Sequence, residues 1–85
     1  MAIMFHGCRR PNLSSIPRGS TVTEDHLLAV HFANTCGASG KALVYWIDVI
    51  SGQVRFIEGM GFHDEEIGYL MEETPVLSWH SVGGK

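Results

Sequence analysis

The sequence has no apolar run near the ~18–20 residues that a membrane-spanning helix needs. That excludes a transmembrane helix. Basic residues are scarce, six against nine acidic, for a net charge of −3 with histidines neutral. That balance argues against a strongly basic nucleic-acid binder, so no direct nucleic-acid contact is expected. Only two cysteines occur, Cys8 and Cys36. The basic pair Arg9-Arg10 follows the opening apolar stretch, whereas a secretory signal has its basic residues first. A soluble, cytoplasmic protein with reduced thiols is therefore expected. There is no repeat and no low-complexity tract, and the length and composition exclude a multidomain enzyme, a collagen-like or coiled-coil rod and a long linker protein. No CxxC or HExxH is present. His26 and His31 are five apart and do not share a helix face as an i, i+4 pair would, so no metal site is expected.

What is present suits one globular domain over residues 1–85. The hydrophobic fraction is 45% and the charged fraction 18%, unlike a disordered chain. A chain of this size is expected to bury somewhat over ~60% of its unfolded surface, enough for one modest core. Residues 2–6 form a short apolar run that suits a buried strand. Residues 7–20 carry two prolines, two glycines and three serines and read as loop. Leu13 and Ile16 are expected to pin that loop to the core.

Thr21-Val22-Thr23-Glu24 fits a capping box, and Thr23 is an equally good cap with Glu24 and Asp25 after it. The helix is predicted to run to about Asn34, with Leu28 and Phe32 as its buried stripe and Ala29 and Ala33 beside them. Residues 42–50, apolar on both faces, read as a central strand. Ser51-Gly52 reads as a turn and residues 53–58 as the returning arm of a hairpin. Residues 64–73 read as a short helix or, nearly as well, an extended segment, and residues 76–82 as a last strand. The fold class expected is α+β, a small, mainly antiparallel sheet with one principal helix.

Few residues suggest chemistry by themselves. Cys8 beside Arg9 and Arg10, with His6 nearby, has some features of an activated thiol, although an ordinary small residue after a strand fits better. Tyr45, Trp46, Phe56 and Trp79 read as sheet and core aromatics. Charge, however, is unevenly placed. Residues 1–42 balance at +2, with Arg9, Arg10, Arg18 and Lys41 against Glu24 and Asp25. Residues 43–85 balance at −5, with Arg55 and Lys85 against Asp48, Glu58, Asp64, Glu65, Glu66, Glu72 and Glu73.

The order of segments is more telling. An apolar strand ends in Phe5-His6-Gly7-Cys8. A proline-containing loop with Leu13-Ser14-Ser15-Ile16 follows, then Gly19-Ser20-Thr21-Val22-Thr23. Next come the helix segment from Glu24 to Ala33 and a strand through Tyr45-Trp46-Ile47-Asp48-Val49. Over about residues 3–50 this resembles the start of the ADP-ribosyltransferase fold, in the branch that opens with hydrophobic-His-Gly-Ser/Thr. Anti-CRISPR proteins of ADP-ribosyltransferase type, encoded by phages, open in a similar way. The resemblance implies a reduced ADP-ribosyltransferase-like fold, NAD as the bound cofactor, and transfer of ADP-ribose to a protein target, in the host cytoplasm for a phage protein.

It also implies roles. His6 at a strand end would bond a ribose hydroxyl, and Gly7 would let the backbone approach the nicotinamide amide. Thr23 or Thr21 would supply a hydroxyl, and Phe32 or Tyr45 an aromatic ring. Glu65 or Glu66, with Glu58 as a third choice, would be the catalytic carboxylate facing the oxocarbenium-like transition state. Cys8 stands where that family has serine or threonine, and 85 residues is short for its catalytic domain.

Two other functions fit the same sequence. One is a non-catalytic inhibitor or binding module that blocks the basic, nucleic-acid-binding surface of a partner protein through Asp64, Glu65, Glu66, Glu72 and Glu73. The other is a plain structural or assembly protein. A homodimer across the exposed edges of the 42–58 hairpin is compatible with any of them.

Overall fold

The computed structural model describes residues 2–50, 52–56 and 67–82. The elements in chain order are β1 (Ala2–Cys8), β2 (Ser15–Ile16), β3 (Thr21–Thr23), α1 (His26–Thr35), β4 (Leu43–Val49), β5 (Val54–Phe56), β6 (Ile67–Leu70) and β7 (Thr74–Ser81). The strands make one seven-stranded sheet in the order β2-β7-β4-β1-β3-β6-β5. Every pairing is antiparallel. The protein is thus mainly β with one helix.

Alternation along β1 and β4 divides the two faces. Met4 and Cys8 pair with Ile47 and Leu43, and all four are buried in the main core with Tyr45 and Val49. The opposite face takes α1. Phe5 and its partner Trp46 meet edge to face there, 5.9 Å apart, and Gly7 lies under the helix. Val44, the cross-strand partner of Gly7, is also fully buried. The unbroken apolar run of β4 therefore reflects burial on both faces. The sheet curls around the main core, since Ile16 at one end and Leu70 near the other belong to the same cluster. Leu13 packs against that cluster and Ile16 is fully buried, so the long loop is pinned as expected.

Several expectations are corrected. The helix does not start at a threonine-headed capping box, because Thr21–Thr23 is strand β3. The cap is Asp25, whose Oδ1 accepts the Leu27 N–H at 3.0 Å. Nor are Leu28 and Phe32 the buried stripe. They are half-buried, while Ala29 and Ala33 are fully buried. The small pair wins because it faces Gly7, where a closer approach covers more apolar surface.

The 42–58 hairpin does not form. The β4 strand lies between β1 and β7, and β5 pairs with β6. An antiparallel strand with two apolar faces is better buried between two long neighbours than paired with a three-residue arm. The proposed dimer seam changes accordingly: β4 is internal, and of the two segments only β5 is at an end of the sheet. Within 64–73, residues 67–70 are extended rather than helical. Of the four aromatics read as sheet and core, all stand on strands, but only Tyr45 is buried.

Candidate functional site

β1 is paired unequally on its two sides. Its ladder with β4 runs through seven registered pairs from Ala2↔Val49 to Cys8↔Leu43. Its ladder with β3 has one, Phe5↔Thr23. Past Phe5 the β1–β3 ladder ends among the described residues, a parting of the ladder at His6–Cys8 that only the His6 ring spans.

His6 stands at this parting. Its Nδ1 lies 2.6 Å from the carbonyl oxygen of Thr21. A carbonyl only accepts, so Nδ1 carries the proton and Nε2 is the bare acceptor. Burial pushes the imidazole pKa below its ordinary value of 6.5. The Thr21 carbonyl opposes this and the Arg10 cation reinforces it. At neutral pH the ring is uncharged, and its Nε2 can accept a hydroxyl proton.

Gly7 serves two neighbours. A Cβ at this position would lie 1.9 Å from the carbonyl oxygen of Ala29, so only glycine lets α1 settle on β1. Its strand also borders the parting. Thr23 is fully buried, and its Oγ1 accepts the Asp25 N–H at 3.1 Å. Of the two aromatic candidates, Tyr45 is committed elsewhere: its hydroxyl donates to the Arg10 carbonyl at 2.5 Å and receives the Leu13 N–H at 3.4 Å. It ties the loop after β1 to the core. Phe32 is half-buried and keeps part of its ring open.

The structure thus brings His6, Gly7, Thr21 and Thr23 to neighbouring strands and sets Tyr45 apart as a structural anchor. Glu58, Asp64, Glu65 and Glu66 lie outside the described residues. Glu72 and Glu73 are exposed between β6 and β7, where Glu73 accepts a hydrogen bond from the Ser15 hydroxyl.

Cys8 is buried and Cys36 exposed, and both are free thiols. Burial raises the Cys8 pKa above its ordinary 9.0, so the thiol stays protonated and is a poor nucleophile. Among the described residues no group of three or more His, Cys, Asp or Glu side chains is placed to hold a metal ion. No helix there is long and apolar enough to cross a membrane.

Two arrangements had no clear sequence signal. Arg9 reaches α1 and clamps its C-terminal end, donating from Nε to Ala33, from one Nη to Asn34 and from the other to Gly40, all at carbonyl oxygens. A cation there also suits the negative end of the helix dipole. On the helix-bearing face, His26 and His80 meet through Nε2 atoms 3.1 Å apart. Phe5 packs edge-on against His26, and Trp46 against His80. The spacing from His26 to His80 spans most of the chain, so only the sheet order reveals the pair.

No family model, curated protein or solved structure matches this chain.

Proposed function

We propose that the protein is a small, reduced ADP-ribosyltransferase-like protein that binds NAD and modifies a protein target. The observation that carries this reading is the parting of the β1–β3 ladder at His6–Gly7, immediately beyond Phe5↔Thr23. A ladder that ends there would leave backbone groups of β1 for a carboxamide, and His6 Nε2 would add an acceptor for a ribose hydroxyl. This combination fits the nicotinamide riboside end of NAD.

In this reading His6 orients the ribose and the His6–Cys8 backbone holds the amide. By the resemblance Thr23 or Thr21 would supply the hydroxyl and Phe32 the aromatic. Glu65 or Glu66, outside the described residues, would supply the catalytic carboxylate, as the resemblance implies. NAD would supply the activated glycosidic bond: its ribose C1′–nicotinamide bond would break and neutral nicotinamide leave, C1′ would bond the target side chain, and the proton that side chain loses would pass to the catalytic carboxylate or to water. The resemblance to anti-CRISPR proteins of this type supports a protein as the target.

Calorimetry with millimolar NAD tests the reading. Wild type is expected to bind, and His6→Ala to bind at least tenfold more weakly. No binding by the wild type at that concentration rejects it.

A second reading has its own observation. Met71, Glu72 and Glu73 stand exposed together between β6 and β7, in the half of the chain that balances at −5. An acidic, non-catalytic module blocking a basic nucleic-acid-binding surface would use this turn. Its binding would weaken with salt and with charge reversal at Glu72 and Glu73. His6→Ala would leave it intact.

A further inference from the structure

The loop after β1, the segment after α1 and the end of the β4–β7 ladder enclose a pocket of about 520 Å³. That is within the ~300–1,000 Å³ of small-molecule sites. Leu43 supplies apolar wall and Trp79 stands at its side with 55% of its surface exposed. Trp79 is the cross-strand partner of Tyr45, so its backbone is held in the β4–β7 ladder. Arg9 and Lys41 line the same pocket. The three Arg9 hydrogen bonds all go to neutral carbonyls, so its charge has no carboxylate partner among the described residues. Two of its five N–H groups remain unspent. Ser81 adds a hydroxyl on the β7 side.

This chemistry is not that of the His6–Gly7 parting. Two cations with no acid beside them among the described residues attract an anion. A largely exposed indole offers a face on which a planar ring stacks. We propose that this pocket binds a small aromatic anion of mononucleotide size, with its ring on Trp79 and its phosphate between Lys41 and Arg9. The clamp on α1 pre-organises the guanidinium, so little side-chain freedom is lost when the ligand arrives.

The test is an amide-resolved NMR titration with adenosine monophosphate, with adenosine and inorganic phosphate in parallel. The monophosphate is expected to shift the amides of Gly40, Lys41 and Ser81 and to bind at least tenfold more tightly than either fragment. Trp79→Ala and Lys41→Ala, both at exposed positions, are expected to weaken it at least fivefold each while keeping the wild-type spectrum elsewhere. His6→Ala is expected to leave these shifts in place whatever it does to NAD, so the two sites succeed or fail separately. The proposal is overturned if 10 mM monophosphate leaves those three amides unmoved. It is equally overturned if both variants bind the monophosphate as the wild type does.

Discussion

Gly7 shows how one residue can serve a motif and a packing contact together. As part of a His-Gly pair it was legible in the sequence. Its second role was not, because the neighbour it must not touch, the Ala29 carbonyl, belongs to α1. Replacing Gly7 with alanine sets a Cβ against helix backbone, which cannot rotate away as a side chain would. The expected loss is about 1–3 kcal/mol or more, the range of overpacked sites. Urea denaturation measures it, and an unchanged midpoint would refute the contact.

His6 and Cys8, two positions apart on β1, predict opposite pH limits. The His6 pKa is lowered on folding, so the unfolded chain takes up the proton first. Stability is therefore complete above 6.5 and falls as the pH drops from there to the folded value. The Cys8 pKa is raised, so its contribution is complete below 9.0 and is lost as pH climbs through the folded value. Denaturation midpoints across this range should fall at both ends. The acid fall should shrink in His6→Gln and the alkaline fall in Cys8→Ala. Parallel curves for wild type and both variants would contradict these assignments.

Among the elements, β1, β4 and the existence of α1 follow from local pattern, whereas the expected loop 7–20 holds the end of β1 and strand β2, which needs β7 as a partner. The start of α1 does not. Thr21 and Thr23 look like caps because threonine before an acidic pair suits a helix N-terminus. Here β6 supplies a strand partner for 21–23, and tertiary pairing moves the cap to Asp25. Asp25→Ala should cost about 1 kcal/mol, the usual value of an N-cap, whereas Thr21→Ala should leave helix content unchanged. Circular dichroism during thermal unfolding separates the two, and equal effects would favour a cap at Thr21.

The 42–58 hairpin misleads for a related reason. Ser51-Gly52 turns the chain, but a turn does not decide which strands pair. Burial of both β4 faces does, and it places β1 and β7 beside β4. The same effect leaves Trp46 and Trp79 on strands without burying them. Aromatic content alone marked them as core.

At the scale of the molecule, the order β2-β7-β4-β1-β3-β6-β5 puts β1 near the middle of the sheet. Neighbours from distant parts of the chain flank it, and no local pattern specifies that. The candidate site follows from this order. His6 and Gly7 were legible as a motif, but the parting of the ladder beside them depends on β3 meeting β1 at a single position. The Arg9 clamp, the His26–His80 pair and the Trp79 pocket depend on the same order and carried no local signal.

The claim that this parting receives the nicotinamide end of NAD is most directly tested by mapping amide shifts as NAD is added. The account predicts changes centred on His6, Gly7, Cys8, Thr21 and Thr23, saturating at millimolar NAD and absent in His6→Ala. A spectrum in which those five amides stay fixed at saturating NAD would contradict it.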